Sequence, residues 1–255
     1  MKTPGFSLRT GKLNIFLLLA ALLGLAQPVV ADSLVPHTAT YKVKISIASG
    51  ILKTSVRETD NGFEAQSVIR PTGLARLLTS GTIEETSTFV AGPDGVQPLE
   101  YVSRDSVSSD KTQMDFAFDW DASVVSGTVN DTVFEYPLDQ EVHDRVSIQY
   151  QLMHNLMTNS GSSEYAMLDD DELKQISIRT VGEKEIKVPY GRFKAIGIQH
   201  QAAGSKRITT LWCAEELGYL PVMIEQRRKG KLKGRLVLAA YKAGQPGESA
   251  ISAAN

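Results

Sequence analysis

The sequence predicts a mainly β fold: a strongly curved antiparallel sheet, an open barrel or half-barrel, with one helix packed on its concave side. Three observations carry this. Apolar and polar residues alternate along much of the chain, as in Met114-Asp115-Phe116-Ala117-Phe118-Asp119-Trp120, where large apolar groups hold the even positions. Such alternation marks a strand with one face packed and the other in water. Turn residues punctuate the runs, among them Asp60-Asn61-Gly62, Gly92-Pro93-Asp94-Gly95 and Pro189-Tyr190-Gly191. Only Asp144 to Met157 carries a long apolar stripe at helical spacing.

Taken in order, residues 1–31 read as a secretory signal. Lys2, Arg9 and Lys12 precede an apolar run from Leu13 to Ala26, and Val29-Val30-Ala31 stands before a cut ahead of Asp32. The run falls short of the ~20 residues a spanning helix needs, so no membrane anchor is expected to remain after cleavage. A lipidated leader is excluded because the only cysteine is Cys213. Residues 32–242 are expected to form a single β-rich domain, and 243–255, rich in Gly, Pro, Ser and Ala, a disordered tail. A chain of this size buries roughly 70% of its unfolded surface, enough for a substantial core.

Extended segments are expected at 42–47, 51–58, 62–70, 81–90, 96–107, 114–120, 123–128 and 131–136. A second series falls at 174–181, 184–188, 192–201, 206–213, 219–228 and 232–242. In Lys42-Val43-Lys44-Ile45-Ser46-Ile47 the odd positions form the apolar face. Leu74, Leu77 and Leu78 give 71–78 the spacing of a helical turn or two. In the one full helix Asp144 is a fair N-cap. At 100° per residue Val146, Tyr150, Met153 and Met157 fall together, and Ile148, Leu152 and Leu156 widen the stripe to roughly 200°. So wide a face suits a helix seated against or inside a curved sheet.

Charge and motifs exclude several functions. Of 27 basic residues three lie in the leader, leaving 24 against 29 acidic, scattered apart from Arg227 to Lys233. That pattern argues against nucleic acid, whose binding rests on clustered phosphate neutralisation. Cys213, in the apolar run Leu211-Trp212-Cys213-Ala214, reads as a small buried hydrophobe. His37, His143, His154 and His200 fit no zinc spacing. The run Asp169-Asp170-Asp171-Glu172 lacks the ligands of a calcium loop and reads as a solvated turn. There is no Gly-x-Ser-x-Gly elbow and no phosphate cradle. No catalytic residue, metal or cofactor is expected.

What remains is apolar surface with one placed charge. Asp144-Arg145 reads first as a cap with an arginine reaching a sheet carboxylate or carbonyl. Its second reading sets Arg145 at the mouth of the concavity, fixing an anionic ligand group. Phe116, Phe118, Tyr150, Met153, Trp212 and Tyr219 are core if the sheet closes tightly and ligand wall if it curls around a gap.

Three stretches carry a resemblance: His143-Asp144-Arg145-Val146-Ser147-Ile148-Gln149-Tyr150-Gln151-Leu152; Val181-Gly182-Glu183-Lys184-Glu185 with Val188-Pro189-Tyr190-Gly191-Arg192-Phe193; and Leu211-Trp212-Cys213-Ala214 with Gly218-Tyr219-Leu220-Pro221-Val222. In this order they resemble domain-of-unknown-function family 3108, a group of exported bacterial proteins. The resemblance implies a periplasmic address and a β fold, and it brings no activity or catalytic residue. The closing stretch is also similar to the last part of lipoprotein-carrier half-barrels, which hold acyl chains in an apolar concavity plugged by helices. The expected function is therefore non-catalytic: binding or chaperoning a lipid, lipoprotein or glycolipid of the envelope. Two alternatives stand beside it. One is an interaction module docking an envelope protein partner. The other is a hydrolase, which requires His143 or His200 to meet a serine or a carboxylate.

Overall fold

The computed structural model describes residues 34–77, 81–107 and 111–244. The expected leader and the tail beyond Gly244 lie outside the described residues. Eight strands run first as an antiparallel meander: β1 (His37–Ile45), β2 (Ala48–Thr59), β3 (Gly62–Thr72), β4 (Ile83–Gly92), β5 (Gly95–Asp105), β6 (Thr112–Asp119), β7 (Val124–Val129) and β8 (Thr132–Pro137). Seven follow: β9 (Val142–His143), β10 (Glu164–Asp169), β11 (Glu172–Val188), β12 (Gly191–Ala202), β13 (Arg207–Ala214), β14 (Leu220–Arg228) and β15 (Lys231–Ala243). The helix α1 (Ser147–Thr158) stands between β9 and β10 in the chain.

All fifteen strands belong to one sheet, because β15 pairs with β1 and joins the two series. Its edges are β8 and β9, which only residues 138–141 separate in sequence. A chain advances at most about 3.6 Å per residue, so the edges stand within roughly 18 Å of each other. Laid flat at ~4.8 Å per strand the sheet would be some 67 Å wide. It therefore curls most of the way round, an unclosed barrel, with α1 in the concavity.

The alternation predicts most of the packing. Met114, Phe116 and Phe118 are buried on one face of β6, and the indole of Trp120 donates to Pro98 O at 2.7 Å. On β1 the predicted face is only half right. Tyr41 and Val43 are buried, but Ile45 and Ile47 are exposed because the strand runs past the core into a turn. The stretches 174–181 and 184–188 are one strand, β11, whose register slips between Thr180 and Glu183. Residues 73–77 form a single 3-10 turn with Leu74 in water.

α1 begins at Ser147, two residues later than an N-cap at Asp144 implies, yet Asp144 still anchors the turn before it. Asp144 Oδ1 accepts from the backbone N–H groups of Val146 at 2.7 Å and Ser147 at 2.8 Å. The Ser147 hydroxyl oxygen in turn accepts from Asp144 N–H at 3.0 Å, which closes a reciprocal capping box. The wide stripe packs on two sides. Tyr150 and Met153 join the main core, with Tyr150 stacked on Phe89 at 5.2 Å between ring centroids. Ile148 and Leu152 pack with Tyr165, Ile176 and Ile198.

Candidate functional site

The polar residues entering α1 are tied to both halves of the sheet. Asp144 is fully buried, and its second oxygen, Oδ2, accepts from Ser87 Oγ on β4 at 2.7 Å. Burial pushes its pKa up, against the hydrogen bonds that favour the charged form. Next to it Arg145 spends its fork on the acidic run: Nε donates to Asp169 and Nη2 to Asp170, while Glu85 lies 3.7 Å from Nη1. Glu85 Oε1 accepts from the Tyr101 hydroxyl at 2.7 Å, and burial raises its pKa too. Burial also acts upward on Asp169, but its hydrogen bond with Lys174 and the charge of Arg145 outweigh it and hold that carboxyl below its ordinary range. The expected turn at 169–172 keeps Asp171 and Glu172 in water, while Asp169 and Asp170 form a clamp on Arg145 just ahead of the helix.

Beside this clamp, between α1 and the strands β10 to β14, lies a groove of about 1080 Å³. Apolar side chains back it, Ile148 and Leu152 from the helix and Met167, Ile176, Leu211 and Ile224 from the sheet. Polar and charged side chains such as Gln149, Lys174, His200 and Gln226 supply more than half of the residues that line it. Residues two apart in a strand share a face, so Arg207 and Thr209 line it with Leu211, and Gln226 and Arg228 with Ile224. At its mouth Lys206, Arg207 and Arg228 have no carboxylate within ion-pair distance among the described residues, whereas Asp169 and Asp170 opposite are held by Arg145. The His200 ring is half-buried in the wall, and burial pushes its pKa down to about 4.

Of the residues singled out in the sequence, Arg145 lines this groove. Tyr150, Met153 and Trp212 lie in the main core, with Tyr219 packed against it. Phe116 and Phe118 fill a second core with Tyr101 and Leu168. Trp212 also carries the Lys184 ammonium 3.6 Å over its ring. The groove residues Ile176, Leu211 and Ile224 were not singled out. Ile176 sits in an alternating stretch and Leu211 and Ile224 in continuous apolar runs, and neither pattern says which side chain borders open space. His143 meets Glu141 at 3.1 Å but is fully buried and lies away from the groove. Among the described residues no group of three His, Cys, Asp or Glu side chains is placed to hold a metal ion, and no helix is long and apolar enough to cross a membrane.

Among the described residues a single curled sheet around one α-helix makes a barrel-like β fold. The chain belongs to the family described as Protein of unknown function (DUF3108), which matches residues 37–237. No protein with a curated description matches it. Among solved structures it is similar to a β-barrel-like protein of domain of unknown function DUF1849 from Brucella abortus. That pair superposes with a TM-score of 0.56 at 9% identity, over 83% of this chain and 98% of that one, a likeness of fold alone. A protein with a YmcC-like fold from Bacteroides fragilis matches at 13% identity over 81% of this chain and 95% of that one. Its TM-score of 0.31 adds nothing to the fold.

Proposed function

We propose that this protein is a non-catalytic periplasmic carrier or chaperone, which holds the hydrocarbon of an envelope amphiphile in the groove beside α1. The observation that carries the reading is a groove of about 1080 Å³ backed by apolar side chains, with Lys206, Arg207 and Arg228 on its rim across from Asp169 and Asp170. Ligand pockets commonly measure roughly 300–1,000 Å³. Burying ten methylenes contributes on the order of 8 kcal/mol before the cost of immobilising the ligand. That cost is about 4–15 kcal/mol, so the hydrocarbon alone gives modest affinity and the ionic mouth supplies the rest. The ligand class is an anionic amphiphile, a lipid, glycolipid or the acyl part of a lipoprotein.

Native mass spectrometry of protein purified without detergent tests this, with incubation in a twelve-carbon fatty acid. Bound lipid, or saturable one-to-one uptake that Leu211→Asp abolishes, is expected. Apo mass alone with no uptake overturns the reading. The alternative of an interaction module has one observation in its favour. The edge strand β8 presents an exposed Val133 and an unpaired backbone row, the geometry that accepts a partner strand.

A further inference from the structure

We propose that one end of the sheet, the end carrying the β1–β2, β12–β13 and β14–β15 turns, docks onto an anionic lipid bilayer. Antiparallel pairing gathers these turns from distant parts of the chain. Ile45 stands opposite Gly234 and Ser46 N–H donates to Lys233 O at 3.1 Å, so the β1–β2 and β14–β15 turns lie side by side. Arg207 stands opposite Arg228 and Lys229 N–H donates to Lys206 O at 3.1 Å, which adds the β12–β13 turn. The pairing of Ser49 with Thr72 brings the 3-10 turn Gly73–Leu77 to the same end.

Two properties meet there. The segments 42–53, 67–76, 204–210 and 226–235 contain thirteen Lys and Arg and no Asp or Glu, in a chain whose acids outnumber its bases. The acidic β10–β11 turn reaches the same end beside the β12–β13 turn, with Asp169 and Asp170 there held by Arg145. Arg227 and Arg235 share Glu225, while Lys206, Arg207 and Arg228 have no ion-pair partner among the described residues. Interleaved with these cations are large apolar side chains in water: Ile47 is 96% exposed, Leu74 80%, Ile45 54% and Leu232 41%.

A soluble polyanion would neutralise the cations and leave Ile47 and Leu74 in water. A bilayer surface takes both. Each Lys or Arg near an anionic membrane contributes about 1 kcal/mol, and apolar tips sink roughly 5–10 Å into the boundary between headgroups and acyl chains. Lys206, Arg207 and Arg228 belong both to this end and to the mouth of the groove. Docking therefore turns the groove toward the lipid. The inference goes beyond the carrier reading and stands without it, since it rests on the surface and not on the groove's contents.

Sedimentation of the purified protein with vesicles tests it, comparing phosphatidylglycerol–phosphatidylcholine mixtures with pure phosphatidylcholine in about 0.1 M salt. At least tenfold stronger binding to the anionic vesicles is expected, largely lost in 0.5 M salt. Ile47→Asp and Lys229→Glu lie in exposed turns, and each is expected to weaken binding fivefold or more with unchanged thermal unfolding. If Ile47→Asp fails to fold, Ile47→Ser replaces it. Equal binding to both vesicle types overturns the inference. So does a charge effect without an apolar effect, the signature of a soluble polyanion site. Fatty-acid uptake in the absence of vesicles reads the groove separately. Protein that takes up fatty acid but ignores vesicles removes the docking inference and leaves the carrier reading. Protein that binds vesicles but takes up no fatty acid does the reverse.

Discussion

The hydroxyl of Ser87 on β4 donates a 2.7 Å hydrogen bond to the Asp144 carboxylate ahead of α1, and solvent reaches neither side chain. This bond joins strands of the first series to the helix across the interior. Removing the donor leaves a buried oxygen unmatched, which costs about 1–3 kcal/mol. Ser87→Ala is therefore expected to lower the midpoint of urea unfolding by that amount. Asp144→Ala should cost more, because it also strands the N–H groups of Val146 and Ser147. Equal, negligible losses in both variants would show that the helix is seated by its apolar contacts alone.

Opposite pH slopes should separate two groups. His200 is held neutral by burial, with a pKa near 4 against an ordinary 6.5. As pH falls from 6.5 toward 4 the unfolded chain takes up a proton that the folded one refuses, so stability is lost over that window. The loss is on the order of 1–3 kcal/mol, and His200→Leu should flatten it. Glu85 shifts the other way. Burial raises its pKa, so its contribution is present below the unfolded value of 4.5 and is lost as pH rises through the folded value. Glu85→Gln keeps an acceptor for Tyr101 and should gain on the native protein as pH rises above the unfolded value of 4.5. Urea titrations across pH read both slopes. Parallel slopes in native and variant proteins would remove the argument.

How far such features can be read without coordinates depends on the distance between partners in the chain. The packed face of β6, the capping role of Asp144 and the breadth of the α1 stripe are local patterns, and the sequence displays them. The strands β9 and β10 escape notice because one has two residues and the other, Glu164–Asp169, buries adjacent Tyr165 and Ala166 and so lacks alternation. β11 reads as two strands because the slip between Thr180 and Glu183 breaks its period. The clamp on Arg145 pairs residues 24 and 25 apart, and an acidic run gives no sign of its partner. Ile224 in the groove and Val222 in the core belong to one apolar run of β14. Only the curl of the sheet decides which of them borders open space.

Gly95 sets how closely α1 can approach the β4–β5 turn. Its φ is +124°, and a Cβ there would lie 2.6 Å from Gln151 Oε1, the atom that accepts Val96 N–H at 2.6 Å. Gln151 is buried and donates to Asn155 at 2.8 Å, so it has little freedom to yield. Gly95→Ala should combine backbone strain of about 1–3 kcal/mol with a broken buried hydrogen bond. Gly92→Ala on the neighbouring strand meets nothing within 4 Å and serves as the control, within ~0.5 kcal/mol of the native protein. Equal unfolding midpoints for the two variants would show that the approach is not tight.

Core and groove residues of similar chemistry should respond differently to truncation. Phe116 is buried and ringed by Tyr101 and Phe134, with centroids at 5.3 and 5.0 Å. Phe116→Ala leaves a cavity that such packing cannot refill, at about 3–5 kcal/mol. Ile224 is half-buried and borders the groove, so part of its surface has no protein atoms against it to lose. Ile224→Ala should cost less than ~2 kcal/mol of stability, below the usual range for a packed isoleucine. In a carrier the same truncation removes wall area from the ligand, and fatty-acid affinity should fall by severalfold while Phe116→Ala, in protein still folded at low temperature, leaves it unchanged. Stability and uptake measured on the two variants would then move in opposite order. If Ile224→Ala destabilised the protein as much as Phe116→Ala and left uptake untouched, the groove would be part of the core and the carrier reading would lose its pocket.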